Sequence, residues 1–186
     1  MAQDSKEDRT IEAQELNRLI DRGIKFNIRR RIMCRRPGFL GRFRKKVSKE
    51  ESFEFEIHEL TLHTLDVISA EGVMMEINET DLQSDNGALV ARAMVRDHAV
   101  RMAKVLAIAV MNRDYEIPVK IGDRTKYVVD EPRLKELTQL FAHTIEPSKL
   151  FQMCIAINTM SNLGDFTNCI RLTSANRTTI PDRIQD

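Results

Sequence analysis

The segment from Ser84 to Asn112 most constrains how this 186-residue chain can fold. It contains no proline, is rich in Ala and Met, and begins at two candidate N-cap residues, Ser84 and Asp85. Its second half, residues 102–111, is apolar on nearly every side and is interrupted only by Lys104. A helix that is apolar all round has to be covered by other elements. The sequence therefore predicts a central, buried helix.

Two short segments show the two-residue period of a β-strand instead of the period of a helix. Apolar and polar residues alternate over residues 24–29 and again over residues 53–57, which is typical of half-buried strands. The polar face of the first segment is basic and that of the second is acidic. Opposite charges on facing strands contribute roughly 0.2–1 kcal/mol per pair. We therefore predict an antiparallel β-hairpin with a long tip of about residues 33–47.

The remaining elements are predicted from apolar spacing and capping residues. Helices are expected over 8–22 and 60–77, and another begins at Asp130 with Leu134, Leu137, Leu140 and Phe141 on its apolar face. A further helix begins at Pro147 and ends at Gly164, and its inward residues are expected to be Leu150, Phe151, Cys154, Ile155 and Ile157. Asp165 is expected to cap a last short turn. Residues 115–129 fit a small hairpin and an ordered loop equally well.

These elements predict a mainly α fold, a helical bundle of five or six helices with an N-terminal β-hairpin arm. The predicted organisation is an N-terminal helix over 1–23, a basic β-hairpin arm over 24–58, a helical core over 59–172 and a flexible C-terminal tail over 173–186.

A strongly basic block covers most of the hairpin. Residues 22–49 contain no Asp or Glu and twelve Lys or Arg, whereas the other 158 residues hold 17 basic and 28 acidic residues, a net charge of −11. Such a block usually faces an anionic surface. Three alternatives follow: a solvated tip balanced by nearby glutamates, a partner-binding arm, or a nucleic-acid-binding arm.

The protein-binding alternative is favoured over nucleic acid. Only Phe39 and Phe43 interleave the basic residues, although a single-strand groove gains from aromatics on which bases stack. The acidic remainder of the chain would also repel phosphate beyond the arm. The predicted partner-binding residues are Arg29, Arg30, Arg31, Arg35, Arg36, Arg42, Arg44, Lys45 and Lys46.

No enzymatic, cofactor or metal motif accompanies this block. The three cysteines have no CxxC spacing, the four histidines form no ligand pattern, and no nucleophile or phosphate-loop signature occurs. We therefore expect no catalytic, cofactor-binding or metal-binding residues. The methionines 94, 102, 111, 153 and 160 are interpreted as core residues rather than a partner groove, although methionine-rich surfaces do bind partners.

The location of the protein is expected to be the cytoplasm. The first ten residues are polar and charged, unlike the apolar centre of a signal peptide. The longest apolar run, residues 105–111, is far shorter than the roughly 20 residues that span a bilayer.

The order of segments resembles that of phage and prophage tail assembly chaperones. The resemblance rests on Pro37-Gly38-Phe39-Leu40-Gly41-Arg42, on the strand 53–57, on the segment 60–66, and on a late pair of helices ending at Asp165-Phe166-Thr167. It implies a cytoplasmic, non-enzymatic protein that binds a tail component such as the tape-measure protein. The expected function is thus that of a phage-type structural or assembly protein that binds another protein through helical faces and a basic arm. The alternative is a nucleic-acid-binding accessory protein.

Overall fold

A computed structural model describes residues 22–34, 47–75 and 87–175. Nearly all of the predicted N-terminal helix, of the predicted hairpin tip and of the predicted C-terminal tail lies outside these ranges. The elements are β1 Ile24–Cys34, β2 Val47–Ile57, α1 Leu62–Val73, α2 Gly87–Met111, β3 Glu116–Ile121, β4 Arg124–Val129, α3 Glu131–Thr144, α4 Pro147–Met160 and α5 Leu163–Ala175. Among the helices of these ranges, none is long and apolar enough to cross a membrane.

The predicted fold class, a mainly α bundle of five or six helices with one hairpin arm, is wrong. The described residues form a mixed arrangement, 62% helical and 26% strand, with two antiparallel two-stranded sheets. The second sheet joins β3 to β4 through a turn at Gly122, whose φ of 62° suits glycine. The alternation over residues 117–121 therefore marks a strand, which interrupts the helical core.

The first sheet is packed against the core and is not a free arm. The predicted antiparallel pairing is confirmed, with Phe26 opposite Phe55 and Ile28 opposite Phe53. The rings of Phe26 and Phe55 lie 6.2 and 5.1 Å from the ring of Phe141 on α3. Because aromatic side chains bury large apolar areas, this cluster holds the base of the hairpin on the helix.

The central helix is confirmed. In α2 the buried residues are Ala103, Val105, Leu106, Ala107, Ile108, Ala109 and Met111, all in the half that is apolar all round. The predicted apolar face of α3 is also confirmed, since Leu134, Leu137, Leu140 and Phe141 are all buried. The two helices share one core cluster with residues of β1, β2 and α4.

A single asparagine joins the end of α2 to the segment between β2 and α1. Asn112 is buried with a positive φ of 43°. Its Oδ1 accepts a hydrogen bond from the N–H of Thr61 at 3.0 Å, and its Nδ2 donates to the carbonyl of Glu59 at 2.7 Å. The hydroxyl of Thr64, which is fully buried, donates to the carbonyl of Asn112 at 3.1 Å. These bonds fix the position of α1 relative to α2.

The predicted inward face of α4 is wrong in part. The helix buries Met153, Ala156, Ile157 and Met160, whereas Phe151 and Ile155 are exposed. The helix also ends at Met160 and not at Gly164. The chain turns at Asn162, with a φ of 44°, so that Gly164 lies in the first turn of α5.

The fold predicts different reactivities for two cysteines. Cys154 on α4 is half-buried, and burial raises the pKa of its thiol, whereas Cys169 on α5 is exposed. A raised pKa leaves less thiolate at a given pH, and thiolate is the reactive form. We expect a thiol reagent at mildly alkaline pH to label Cys169 several-fold faster than Cys154, as measured by peptide mass spectrometry. The two rates should converge in denaturant; equal rates in the native protein would contradict the described burial.

Candidate functional site

A polar cleft lies between β1 and helix α3. It has a volume of about 700 Å³ and is lined on the strand side by Arg29, Arg30 and Arg31. On the helix side the lining residues share one face of α3 and are Glu136, Gln139, Leu140, His143 and Thr144. The cleft exists because the hairpin is fixed on α3 by its apolar face, which brings the basic residues of β1 beside the polar face of the helix.

The three arginines of the cleft differ in their partners. Arg30 forms an ion pair with Glu51 at 3.1 Å and lies over the ring of Phe53, at 5.1 Å from its centroid. The Nε of Arg31 donates to the hydroxyl of Ser48. Within the described ranges, neither Arg29 nor Arg31 forms an ion pair. Both side chains therefore retain donors for an added ligand.

The opposite wall does not neutralise this charge. Glu136 is the one carboxylate among the cleft residues of the described chain. Its Oε2 lies 3.0 Å from the Nη1 of Arg133 on the same helix. Guanidinium groups bind carboxylates and phosphates through paired N–H donors. The cleft is thus suited to an anionic ligand.

The structure describes only a third of the predicted partner-binding set. Arg29, Arg30 and Arg31 are brought together along the cleft. The other members, Arg35, Arg36, Arg42, Arg44, Lys45 and Lys46, lie outside the described residues. The contribution of α3 was not predicted, since nothing in the sequence of that helix marks its polar face as facing the basic strand.

The charges of the hairpin are mixed within its described part. Lys25 pairs with Glu56 at 3.8 Å, Arg30 pairs with Glu51, and Glu50 lies opposite Arg31 in the register. The phenylalanines of this described part, Phe26, Phe53 and Phe55, are partly buried against the core. Two ion pairs thus join basic residues of β1 to glutamates of β2, and the cleft keeps an excess of arginine. The predicted balance of charge at the tip lies outside the described residues.

A second surface is an apolar groove of about 420 Å³ on the other side of the core. Its lining includes Met94, Val95, His98 and Met102 of α2, with Ile145 after α3 and Leu150 of α4. The Nδ1 atom of His98 is buried and has no hydrogen-bond partner among the described residues. Apart from that nitrogen, the groove is lined almost entirely by apolar atoms of the described residues.

The groove corrects part of the interpretation of the methionines. Met111, Met153 and Met160 are core residues, as predicted, but Met94 and Met102 are half-buried and line the groove. The sequence did contain a sign that Met94 is not a core residue, because it lies in the half of α2 that also carries surface arginines.

The histidines outside these surfaces form pairs with single carboxylates. The Nε2 of His63 lies 3.2 Å from the Oε1 of Glu116, and the Nε2 of His58 lies 3.8 Å from the Oε2 of Glu56. Over the residues that the structure describes, no three His, Cys, Asp or Glu side chains are placed to hold a metal ion together.

Comparison of the chain with protein-family models, with curated proteins and with solved structures found no match. The functional argument therefore rests on the geometry and charge of the two surfaces.

Proposed function

We propose that this chain is a non-enzymatic assembly protein that binds an acidic segment of another protein in the basic cleft. The observation that carries the proposal is that three arginines of β1 line the cleft, while the one carboxylate among the described cleft residues is already paired with Arg133. An anionic side chain entering the cleft meets an excess of donors and little repulsion.

The resemblance to phage tail assembly chaperones suggests the class of partner. In that setting the acidic segment would belong to a tail component such as the tape-measure protein. The proposal keeps the basic hairpin expected from the sequence and adds the polar face of α3, which lines the cleft beside it.

Nucleic acid is the competing ligand, because arginines bind phosphate as readily as carboxylate. Two observations favour protein. A phosphate backbone that continued along the exposed face of β1–β2 would meet Glu50, Glu54 and Glu56, whereas a short acidic segment can be confined to the cleft. The described aromatics of the hairpin are partly buried against the core, which reduces the ring surface on which bases could stack.

The test removes the two arginines that form no ion pair in the described chain. We expect Arg29→Ala/Arg31→Ala to lower the affinity for the protein partner about tenfold or more, since tenfold corresponds to about 1.4 kcal/mol. The readout is quantitative co-purification from cells that produce the chain naturally, followed by titration of the partner recovered. Arg124→Ala/Lys126→Ala on the β3–β4 hairpin removes two exposed positive charges elsewhere and should leave recovery unchanged.

The same variants are titrated with labelled DNA and RNA at several salt concentrations. Weak binding at low salt is expected. Tight binding with a steep salt dependence would support nucleic acid instead. In a plot of the logarithm of the association constant against the logarithm of the salt concentration, each phosphate contact adds about −0.9 to the slope. If that slope also became smaller in Arg29→Ala/Arg31→Ala while no protein was lost, the protein-binding proposal would be wrong.

A further inference from the structure

Helix α5 is amphipathic and has no described neighbour to cover it. All its described side chains, Leu163 to Ser174, are exposed. Leu163, Phe166 and Ile170 follow the spacing i, i+3, i+7 and are 54%, 42% and 53% exposed. Isolated helices shorter than about 12–15 residues are only marginally stable in water, and α5 has 13 residues. Its apolar stripe, defined as these three residues, therefore requires an apolar surface.

The apolar groove is a surface of matching size. Its lining follows α2 from Met94 to Leu106, a rise of about 18 Å, and α5 is about 20 Å long. Amphipathic helices bind such grooves through anchors spaced i, i+3, i+4 and i+7. Asp165 and Arg171 cancel in charge, so α5 brings no net charge to the groove.

In the described fold, α5 does not reach the groove of its own chain. The groove reaches α4 at its first turns, through Pro147 and Leu150, whereas α5 follows the opposite end of α4. The side chain of Asn162 donates to Glu59 at 3.2 Å and to Asp165 at 3.1 Å, which fixes the start of α5 at that end. In this arrangement the stripe remains exposed.

We propose that α5 of one copy docks in the apolar groove of a second copy of the chain. Reciprocal docking forms a closed two-fold dimer that uses each surface twice. The interface is separate from the basic cleft, so the dimer presents two clefts to a partner.

The oligomeric state of the full chain tests this proposal. We expect a dimer by light scattering coupled to size-exclusion chromatography, and a monomer for Phe166→Asp and for Val95→Asp. Both residues are exposed in one copy, so neither change should disturb folding. Leu172→Asp on the opposite side of α5 and Val100→Asp on the other side of α2 are matched controls, and both should remain dimeric.

Mixing the two disrupting variants provides the decisive measurement. A pair of Val95→Asp and Phe166→Asp chains retains one intact groove and one intact stripe, so we expect the mixture to recover dimers that neither variant forms alone. A monomeric wild-type chain would overturn the proposal. So would a dimer that dissociates in Phe166→Asp but not in Val95→Asp, because that result would indicate pairing of two α5 helices.

Discussion

Replacing Phe141 with alanine is expected to lower the free energy of unfolding by about 3–5 kcal/mol, the usual cost of truncating a core aromatic. Phe141 is 1% exposed and contacts the rings of Phe26 and Phe55. Its loss leaves a cavity where the hairpin meets α3, so the hairpin should also lose protection from hydrogen exchange. Urea denaturation monitored by circular dichroism measures the first effect, and exchange mass spectrometry measures the second.

The neighbouring helix offers a matched control. Phe151 on α4 is 68% exposed, so Phe151→Ala removes the same atoms with an expected effect within about 0.5 kcal/mol. Equal losses from the two variants would mean that the hairpin is not packed on α3. A large loss from Phe141→Ala with unchanged exchange in β1 would mean that Phe141 stabilises the helices alone.

Local sequence patterns predicted the elements whose pattern and environment agree. The strict alternation of β1 and β2 gave their pairing, because a shift of one residue would move every apolar side chain to solvent. The spacing of Leu134, Leu137, Leu140 and Phe141 gave the buried face of α3, since no other face of that helix is apolar.

The errors occurred where a pattern allowed more than one face or period. Helix α4 carries apolar residues on several sides, so the choice between Phe151 and Met153 depended on where α2 lies. Residues 115–129 alternate only weakly, and their pairing depends on the turn at Gly122. The fold class was wrong for this reason, because that segment decides between a bundle and a mixed arrangement.

Only the β1 side of the candidate site was predicted from the sequence. The three arginines of β1 were identified from the charge asymmetry of the chain, which is a property of sequence alone. The face of α3 that completes the cleft follows from the docking of Phe26 on Phe141, a contact between distant segments. The apolar groove was missed for the same reason, since its lining is drawn from α2, α3 and α4.

Replacing Asn112 with alanine is expected to cost about 2–4 kcal/mol. The N–H of Thr61 and the carbonyl of Glu59 lose their side-chain partner, and an unsatisfied buried group costs about 1–3 kcal/mol, less where water reaches it. Alanine also tolerates the positive φ less well than asparagine. Thermal and urea unfolding measure the loss.

Two comparisons separate the hydrogen bonds from the backbone. Asn112→Gly removes the same bonds but accepts a φ of 43°, so it should be less destabilising than Asn112→Ala by about 1 kcal/mol. Asn162 has the same residue type and nearly the same φ, but its bonds to Glu59 and Asp165 are exposed. Asn162→Ala should therefore cost clearly less than Asn112→Ala. Equal costs at both positions would show that backbone strain, and not the buried bonds of Asn112, determines how α1 is held on α2.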